Sequence, residues 1–239
     1  MRLDGRANDE MRPVEMIVGY QEYAEGSVLI SVGKTRVLCA VTVEEGLPSW
    51  LSGQEYGWVT AEYTMLPRAT RTRTPRDASA RETEIQQFIG RALRASVDLT
   101  ALSRRTITVD CDVIQADGGT RTAAITGGYV ALALALEGML RKKQACPQIW
   151  RPPIAAVSVG LVDGEMLLDL GHEEDIRAVV DSNVVLNAEG QLIEVHAPAT
   201  NPFHHQQLDE MLDLAREGVR HLLDIETELL RRYGVSVAV

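Results

Sequence analysis

The chain has 239 residues, 34 Asp and Glu against 24 Lys and Arg, a formal net charge of -10 and 45% apolar residues. That composition excludes an intrinsically disordered chain, and at this length folding buries roughly 70–75% of the unfolded surface, so neither disulfides nor a structural metal is required. The longest nearly apolar run, Gly127 to Leu140, carries Glu137 and is shorter than a membrane span, and the polar start MRLDGRANDEMRP is unlike a secretory signal, so a cytoplasmic protein without a membrane partner is expected.

In chain order, alternating or β-branched runs at 27–33, 36–43, 57–64 and 106–114 predict strands, with Gly33-Lys34 as a hairpin turn. Between the third and fourth, Ile85, Phe88, Ile89, Leu93 and Val97 recur at helical spacing and predict a core-facing helix. A second helix is predicted from about Thr122 to Lys143, its Ala/Leu-rich middle implying burial on most sides. The stretch Gln144 to Pro153 holds three of the nine prolines and reads as a connector. Strands resume at 154–160, 165–170, 178–186 and 191–196, with turns at Asp163-Gly164 and Glu189-Gly190. A long amphipathic helix then starts near Asn201-Pro202 and turns Leu208, Met211, Leu212, Ala215, Val219, Leu222, Leu223 and Leu230 inward. The fold class is α+β: a single domain, 1–239, of two strands-then-helix halves, about 1–146 and 147–239, a structural duplication without visible sequence repetition. Cys39, Cys111 and Cys146 are odd in number and far apart in sequence, and read as reduced, mostly structural thiols.

Charge is distributed unevenly. Residues 67–81, PRATRTRTPRDASAR, hold Arg68, Arg71, Arg73, Arg76 and Arg81 against one acid, Asp77, a local +4 that leaves -14 on the rest. Arginine among threonines suits a loop that takes phosphodiester oxygens in bidentate contacts, although a solvated charge run has the same composition. An acidic chain that gathers its positive charge in one place favours a nucleic-acid partner.

In DVIQADGGTRTAAITGG a strand ends, two glycines follow, and a helix opens on Thr120 and Arg121. Glycines permit close backbone approach, a helix N-terminus carries partial positive charge, and a guanidinium matches phosphate oxygens, so Gly118 to Arg121 form a candidate anion site. The P-loop signature is absent, and a simple helix-starting turn would look the same. Further on, Asp175 and Asp181 are six residues apart, on or beside the next strand, a spacing that places both on one face if the segment is extended, where they could hold Mg²⁺ or Mn²⁺ or divide into ligand and general acid. Asp169 reads as a strand-end residue of turn-forming type. His172 with Glu173 and Glu174 reads as solvated loop, His204 and His205 as capping or surface residues, and Trp50, Trp58 and Trp150 as too scattered for a base-stacking platform.

Taken together, RLDGRANDEMRP at 2–13, EGSVLISVGKTRVLCAVTVEEG at 25–46, GWVTAEYTMLPRAT at 57–70, EIQQFIGRALRASVDL at 84–99, RTITVDCDVIQADGGTRTA at 105–123 and AAVSVG at 155–160 resemble the bacterial ribonuclease PH family. The resemblance implies the ring-forming ribonuclease PH fold, a duplicated unit like a domain of a small-subunit ribosomal protein. It implies a phosphate-dependent 3′-to-5′ exoribonuclease that trims the 3′ end of precursor tRNA, releases nucleoside diphosphates and runs in reverse as a nucleotidyltransferase. By motif position, Arg81, Gly119, Thr120 and Arg121 would hold inorganic phosphate, the co-substrate. Asp175 and Asp181 would be catalytic and hold the divalent metal. Arg68, Arg71, Arg73 and Arg76 would reach the RNA, and the assembly would be a hexamer built from three dimers. The chain departs from the family in an arginine loop shortened and lacking Gly-Gly before Arg81, in Ser182 where methionine is usual, and in Gly171-His172. Two other readings remain: a catalytically inactive RNA-binding ring subunit of this fold, and a hydrolytic metal-dependent nuclease, which would need no phosphate site.

Overall fold

A computed structural model describes residues 2–76 and 80–235. Asp77, the one acid of the basic segment, lies outside the described residues. The first sheet is formed by β1 (Val14–Val18), β2 (Gly26–Val32), β3 (Thr35–Glu45), β4 (Trp58–Met65) and β5 (Arg105–Gln115) in the order β1-β2-β3-β5-β4. All pairs are antiparallel except β4 with β5. A parallel pair cannot be closed by a tight turn. The required crossover contains α1 (Ala80–Arg94), which lays Ile85, Phe88, Ile89 and Leu93 on the core. Val97 lies beyond the end of α1 but is still buried, bridging to Trp150 and so tying down the connector.

The second sheet, wholly antiparallel, orders β6 (Ile154–Val162), β7 (Glu165–Leu168), β8 (Ala178–Asn187) and β9 (Leu192–His196) as β7-β6-β8-β9. Every residue of β6 is buried, because alternate side chains enter different cores: Ile154 and Ala156 join the cluster around α2 (Thr120–Arg141), whereas Ala155, Val157 and Val159 join the one under α4 (His205–Arg232). That two-sided burial explains why IAAVSVGLV lacks hydrophobic alternation.

The same constraint shapes α2, which packs on β2 and β3 on one side and on β6 on the other. By length and composition it could cross a membrane, but 78% of its most apolar window is buried inside the protein, and a helix apolar all round is what such a position demands. Its fit is tight: a Cβ on Gly26 of β2 would sit 2.2 Å from the carbonyl oxygen of Ala131, and one on Gly127 would sit 2.6 Å from Cγ2 of Ile30.

Besides shifts of a residue or two at several ends, four elements differ from the expectations. Strand β1 was not expected; its half-buried VEMIV sits at the sheet edge. Helix α2 starts at Thr120 rather than Thr122, because Gly119 adopts a left-handed conformation and caps it. Helix α4 starts at His205, after Pro202, with the His204 N–H donating to Gln207 Oε1 at 2.9 Å. The segment read as solvated loop contains a one-turn helix, α3 (His172–Asp175), whose Glu174 is buried.

Cys39 and Cys111, far apart in sequence, face each other across β3 and β5 in the core, while Cys146 is exposed. The Cys111 thiol is pushed well up by Cys39 beside it and by burial. The inner stripe of α4 carries an ionisable residue among its apolar ones: both carboxyl oxygens of Glu226, like the Tyr129 hydroxyl, are buried without a hydrogen-bond partner. Burial holds the Glu226 carboxyl well above its ordinary value of 4.5, so it is neutral where an unfolded chain would ionise it. The folded state therefore binds the extra proton, and stability falls as pH rises from 4.5 toward the folded value. Glu226→Met should remove this slope and stabilise the protein by about 1–3 kcal/mol near neutral pH, as read from urea unfolding midpoints between about pH 5 and 8.

Candidate active site

The turn between β5 and α2 is held from several sides. Ala116 N–H donates to the Ala69 carbonyl at 2.9 Å, which fixes the base of the basic loop against the turn. Asp117 N–H donates to Thr35 Oγ1 at 2.9 Å, and the same hydroxyl donates to the Gly118 carbonyl at 2.6 Å. Gly118 and Gly119 both have positive φ, 81° and 67°. No other residue fits at Gly118, where a Cβ would lie 2.4 Å from the Leu170 carbonyl oxygen, so the turn sits directly on the backbone before α3. Among the described residues, the amides of Gly118, Gly119, Thr120 and Arg121 have no acceptor. They present N–H groups at the positive end of a 22-residue helix.

A cleft of about 600 Å³ opens over this turn and is lined by Arg81, Gly119, Thr120, Arg121, Asp175 and Asp181. The six residues named as phosphate-binding or catalytic thus converge, although they come from α1, the β5–α2 turn, α3 and β8. Tyr63, on β4, closes one wall and shares a 2.9 Å hydrogen bond with Thr120 Oγ1. Burial raises the Tyr63 hydroxyl, opposed by the Thr120 hydrogen bond and by the charges of Arg121 and Arg81.

The aspartates meet for a different reason than strand parity. Asp175 ends α3, whereas Asp181 lies within β8, so a helical turn followed by a strand brings the carboxylates together. Asp181 is pushed up to about 6 by burial and by the adjacent Asp175 charge, with Arg121 and Asn183 pulling the other way. Asn183, also on the cleft wall, has a buried side-chain amide whose Nδ2 makes no well-formed hydrogen bond yet lies near enough to Asp181 to lower it. Among the described residues no group of three or more His, Cys, Asp or Glu side chains could cage a metal. Two adjacent carboxylates still suit Mg²⁺ or Mn²⁺, which keep water and substrate-phosphate ligands and need only one or two protein carboxylates.

Arg68, Arg71, Arg73 and Arg76 are all exposed around the cleft rather than lining it. Arg71 bridges the basic loop to α3 through Glu173 at 3.2 Å. Two tryptophans read as scattered do meet: Trp50 and Trp58 pack edge to face at 5.1 Å, with Arg94 stacked 4.2 Å from the Trp58 ring. They lie at the start of β4, whereas Tyr63 and Met65 near its other end line the cleft. Sequence reasoning missed Tyr63 and Ser158 and gave no role to Asn183 or His172, all cleft residues; the glycine-rich turn had no sequence-local marker of these partners.

Two family models match the chain: "3′ exoribonuclease family, domain 1" over residues 10–136 and "domain 2" over residues 152–218. The ribonuclease PH of Moorella thermoacetica is 51% identical over 236 residues, spanning 96% of this chain and 94% of its own. That of Bacillus cereus strain AH820 is 48% identical over 237 residues, spanning 96% and 97%. Among solved structures, rice Rrp46 superposes with a TM-score of 0.80 at 20% identity, covering 96% of this chain and 100% of that one. The Archaeoglobus fulgidus exosome with RNA bound to the active site gives 0.79 at 23% identity, covering 93% and 91%. At those identities the two structures establish the shared fold.

The like-charge contact has a direct consequence. Asp175→Asn should lower the Asp181 carboxyl from about 6 while leaving it above the ordinary aspartate range, because burial, the larger cause, remains. Carboxyl-carbon NMR titration of the metal-free protein measures it.

Proposed function

The chain belongs to the 3′ exoribonuclease family to which ribonuclease PH belongs, and from that premise we propose that it is a phosphate-dependent 3′-to-5′ exoribonuclease acting on the 3′ end of precursor tRNA and other RNA. The observation that carries this reading is the single cleft in which a free-amide turn and two arginines face a pair of carboxylates. A hydrolase needs no anion seat for its nucleophile; a phosphorolase does.

In this reading Arg121, Arg81 and the amides of Gly119 and Thr120 seat orthophosphate. One of its oxygens attacks the phosphorus of the terminal phosphodiester. The new P–O bond forms as the bond to the ribose 3′-oxygen breaks, giving a nucleoside diphosphate and an RNA one nucleotide shorter. Two anions must be brought together, so the work is charge neutralisation and alignment rather than creation of a strong nucleophile. Arg121 lines the cleft beside the turn and its charge lowers Asp181, which ties it to both halves of the reaction. Asp181, with its raised proton affinity, is the better of the two carboxylates to pass a proton to the departing 3′-oxygen. Alternatively, with Asp181 ionised, a divalent ion held by Asp175 and Asp181 would supply neutralisation of the charge that develops there. Arg68, Arg71, Arg73 and Arg76 guide the RNA backbone to the cleft, a role supported by their exposure at its rim. The assembly is read as a hexamer of three dimers, which would set several basic loops around one substrate. The two sheets, each with its own helices, support the reading of one domain made of two pseudo-repeated halves, about 1–146 and 147–239.

The deciding assay incubates the protein with 3′-extended tRNA and Mg²⁺, with and without phosphate. Nucleoside diphosphates formed only with phosphate support the proposal, monophosphates indicate hydrolysis, and binding without cleavage indicates a silent RNA-binding subunit. Arg121→Ala should raise the KM for phosphate roughly 10–100-fold, the worth of a charge-assisted contact, with RNA affinity little changed. Asp181→Asn should cut kcat roughly 10²–10⁴-fold in initial-rate measurements while size-exclusion chromatography shows the assembly unaltered.

A further inference from the structure

Three arginine side chains of the N-terminal segment are buried behind the cleft, line none of it themselves, and yet grip the backbone of both of its halves. Arg12 clasps Asp169 with Nε and Nη2 at 2.8 and 2.6 Å, and its backbone N–H donates to the same carboxylate at 2.8 Å. The remaining donors turn to the phosphate turn, with Nη1 on the Asp117 carbonyl at 2.6 Å and Nη2 3.4 Å from that of Gly118. In a planar trans peptide the carbonyl and the following N–H point in opposite directions. Holding the carbonyls of Asp117 and Gly118 on the Arg12 side therefore directs the N–H groups of Gly118 and Gly119 away from it, where a concave set of amides can accept an anion.

Arg2 plays the matching part under α3. Its Nε and Nη2 take both oxygens of Glu174 at 2.8 Å, while Nη1 and Nη2 reach the carbonyls of Leu168 and Asp169 at 2.8 and 2.9 Å. Glu174 Oε2 also accepts from Gly171 N–H at 2.8 Å. A helix of four residues does not sustain itself, so this anchor is what fixes the residue after Glu174, namely Asp175. Arg6 adds contacts of 3.4 Å to Asp169 and 3.7 Å to Glu174. Asp169 itself has φ of 53°, a conformation uncommon outside glycine that persists only where surrounding contacts impose it.

Resting on the phosphorolytic reading above, we propose that Arg12 and Arg2 are positioning residues with separable tasks: Arg12 aims the amides that seat phosphate, and Arg2, through Glu174, places Asp175 opposite Asp181. Stability alone does not call for guanidinium groups here, since apolar side chains of similar volume often serve a buried position as well as an ion pair does. Directing a carboxylate and two carbonyls at once does call for them, because only arginine offers five donors in a rigid fork.

The test is a kinetic split between two conservative variants, each of which keeps the buried positive charge. Arg12→Lys should raise the KM for phosphate about tenfold or more with kcat within about threefold, and Arg2→Lys should lower kcat about tenfold or more with the phosphate KM within about threefold. Both should leave the KM for RNA within about twofold. The proposal is overturned if either variant leaves both parameters within about twofold of the parent, or if both variants shift the two parameters in the same proportion, the signature of a fold-wide defect. Should Arg12→Lys not fold, the charge-free pair Arg12→Gln/Asp169→Asn replaces it, with the same expected rise in phosphate KM and the same overturning result. If the unmodified protein cleaves RNA without phosphate, the phosphorolytic reading itself fails. Orthophosphate binding followed by ³¹P NMR then judges Arg12 independently: weaker binding in Arg12→Lys supports its aiming role, and unchanged binding overturns it.

Discussion

The bidentate pairing of Arg12 with Asp169 is the contact on which the site geometry rests, because it joins two parts of the chain that have no covalent reason to meet. One is the turn at the end of the first sheet; the other is the backbone that leaves β7 for α3 in the second. The Arg12 guanidinium is held above its ordinary affinity for a proton, burial working against it and Asp169 more than compensating. Glu174 behaves in the complementary way: burial would raise it, and Arg2, the Gly171 amide and Arg6 together bring it below its usual value. Both charges are thus firmly kept in an environment that would otherwise suppress them, and the backbone carbonyls nearby absorb the donors left over.

Around that frame the distribution of charge follows the task. A chain with net charge -10 would repel a polyanion unless positive potential were concentrated near the reacting centre, and the arginines exposed around the cleft provide that concentration. Inside the cleft both signs are present: Arg81, Arg121 and the amides of the turn share its lining with two acids, and the Arg121 charge acts on Asp181. The long apolar helix behind the turn contributes the end of its dipole and a rigid mount, since its packing against both sheets leaves no room for it to shift.

Much of this was legible from residue order, and the exceptions have specific causes. The strands of both sheets and the helices α1, α2 and α4 announce themselves through hydrophobic period, and the motif DVIQADGGTRTA points directly to the anion-binding turn. Strand β1 escaped because VEMIV follows Pro13 and is only half-buried. Helix α3 escaped because nothing local makes HEED helical; its shape is imposed by Arg2, 172 positions away from Glu174. The aspartate pair was found, yet the segment before β8 is not extended, so the pair meets through a helical turn rather than through even strand spacing. Arg12 and Asp169 gave no sign of their partnership across 157 positions, and no periodicity argument sees such a pair. Tyr63 looked like one more inward residue of a strand until its hydroxyl reached Thr120.

One small asymmetry among the thiols has a practical side. Cys39 and Cys111 are sealed within the first sheet, whereas Cys146 sits exposed on the connector between the two sheets. A maleimide dye therefore meets a single accessible sulfur per chain, far from the β5–α2 turn at the opposite end of α2. Stoichiometric labelling at that spot supplies a built-in reporter for counting protomers by stepwise photobleaching, with no engineered cysteine needed.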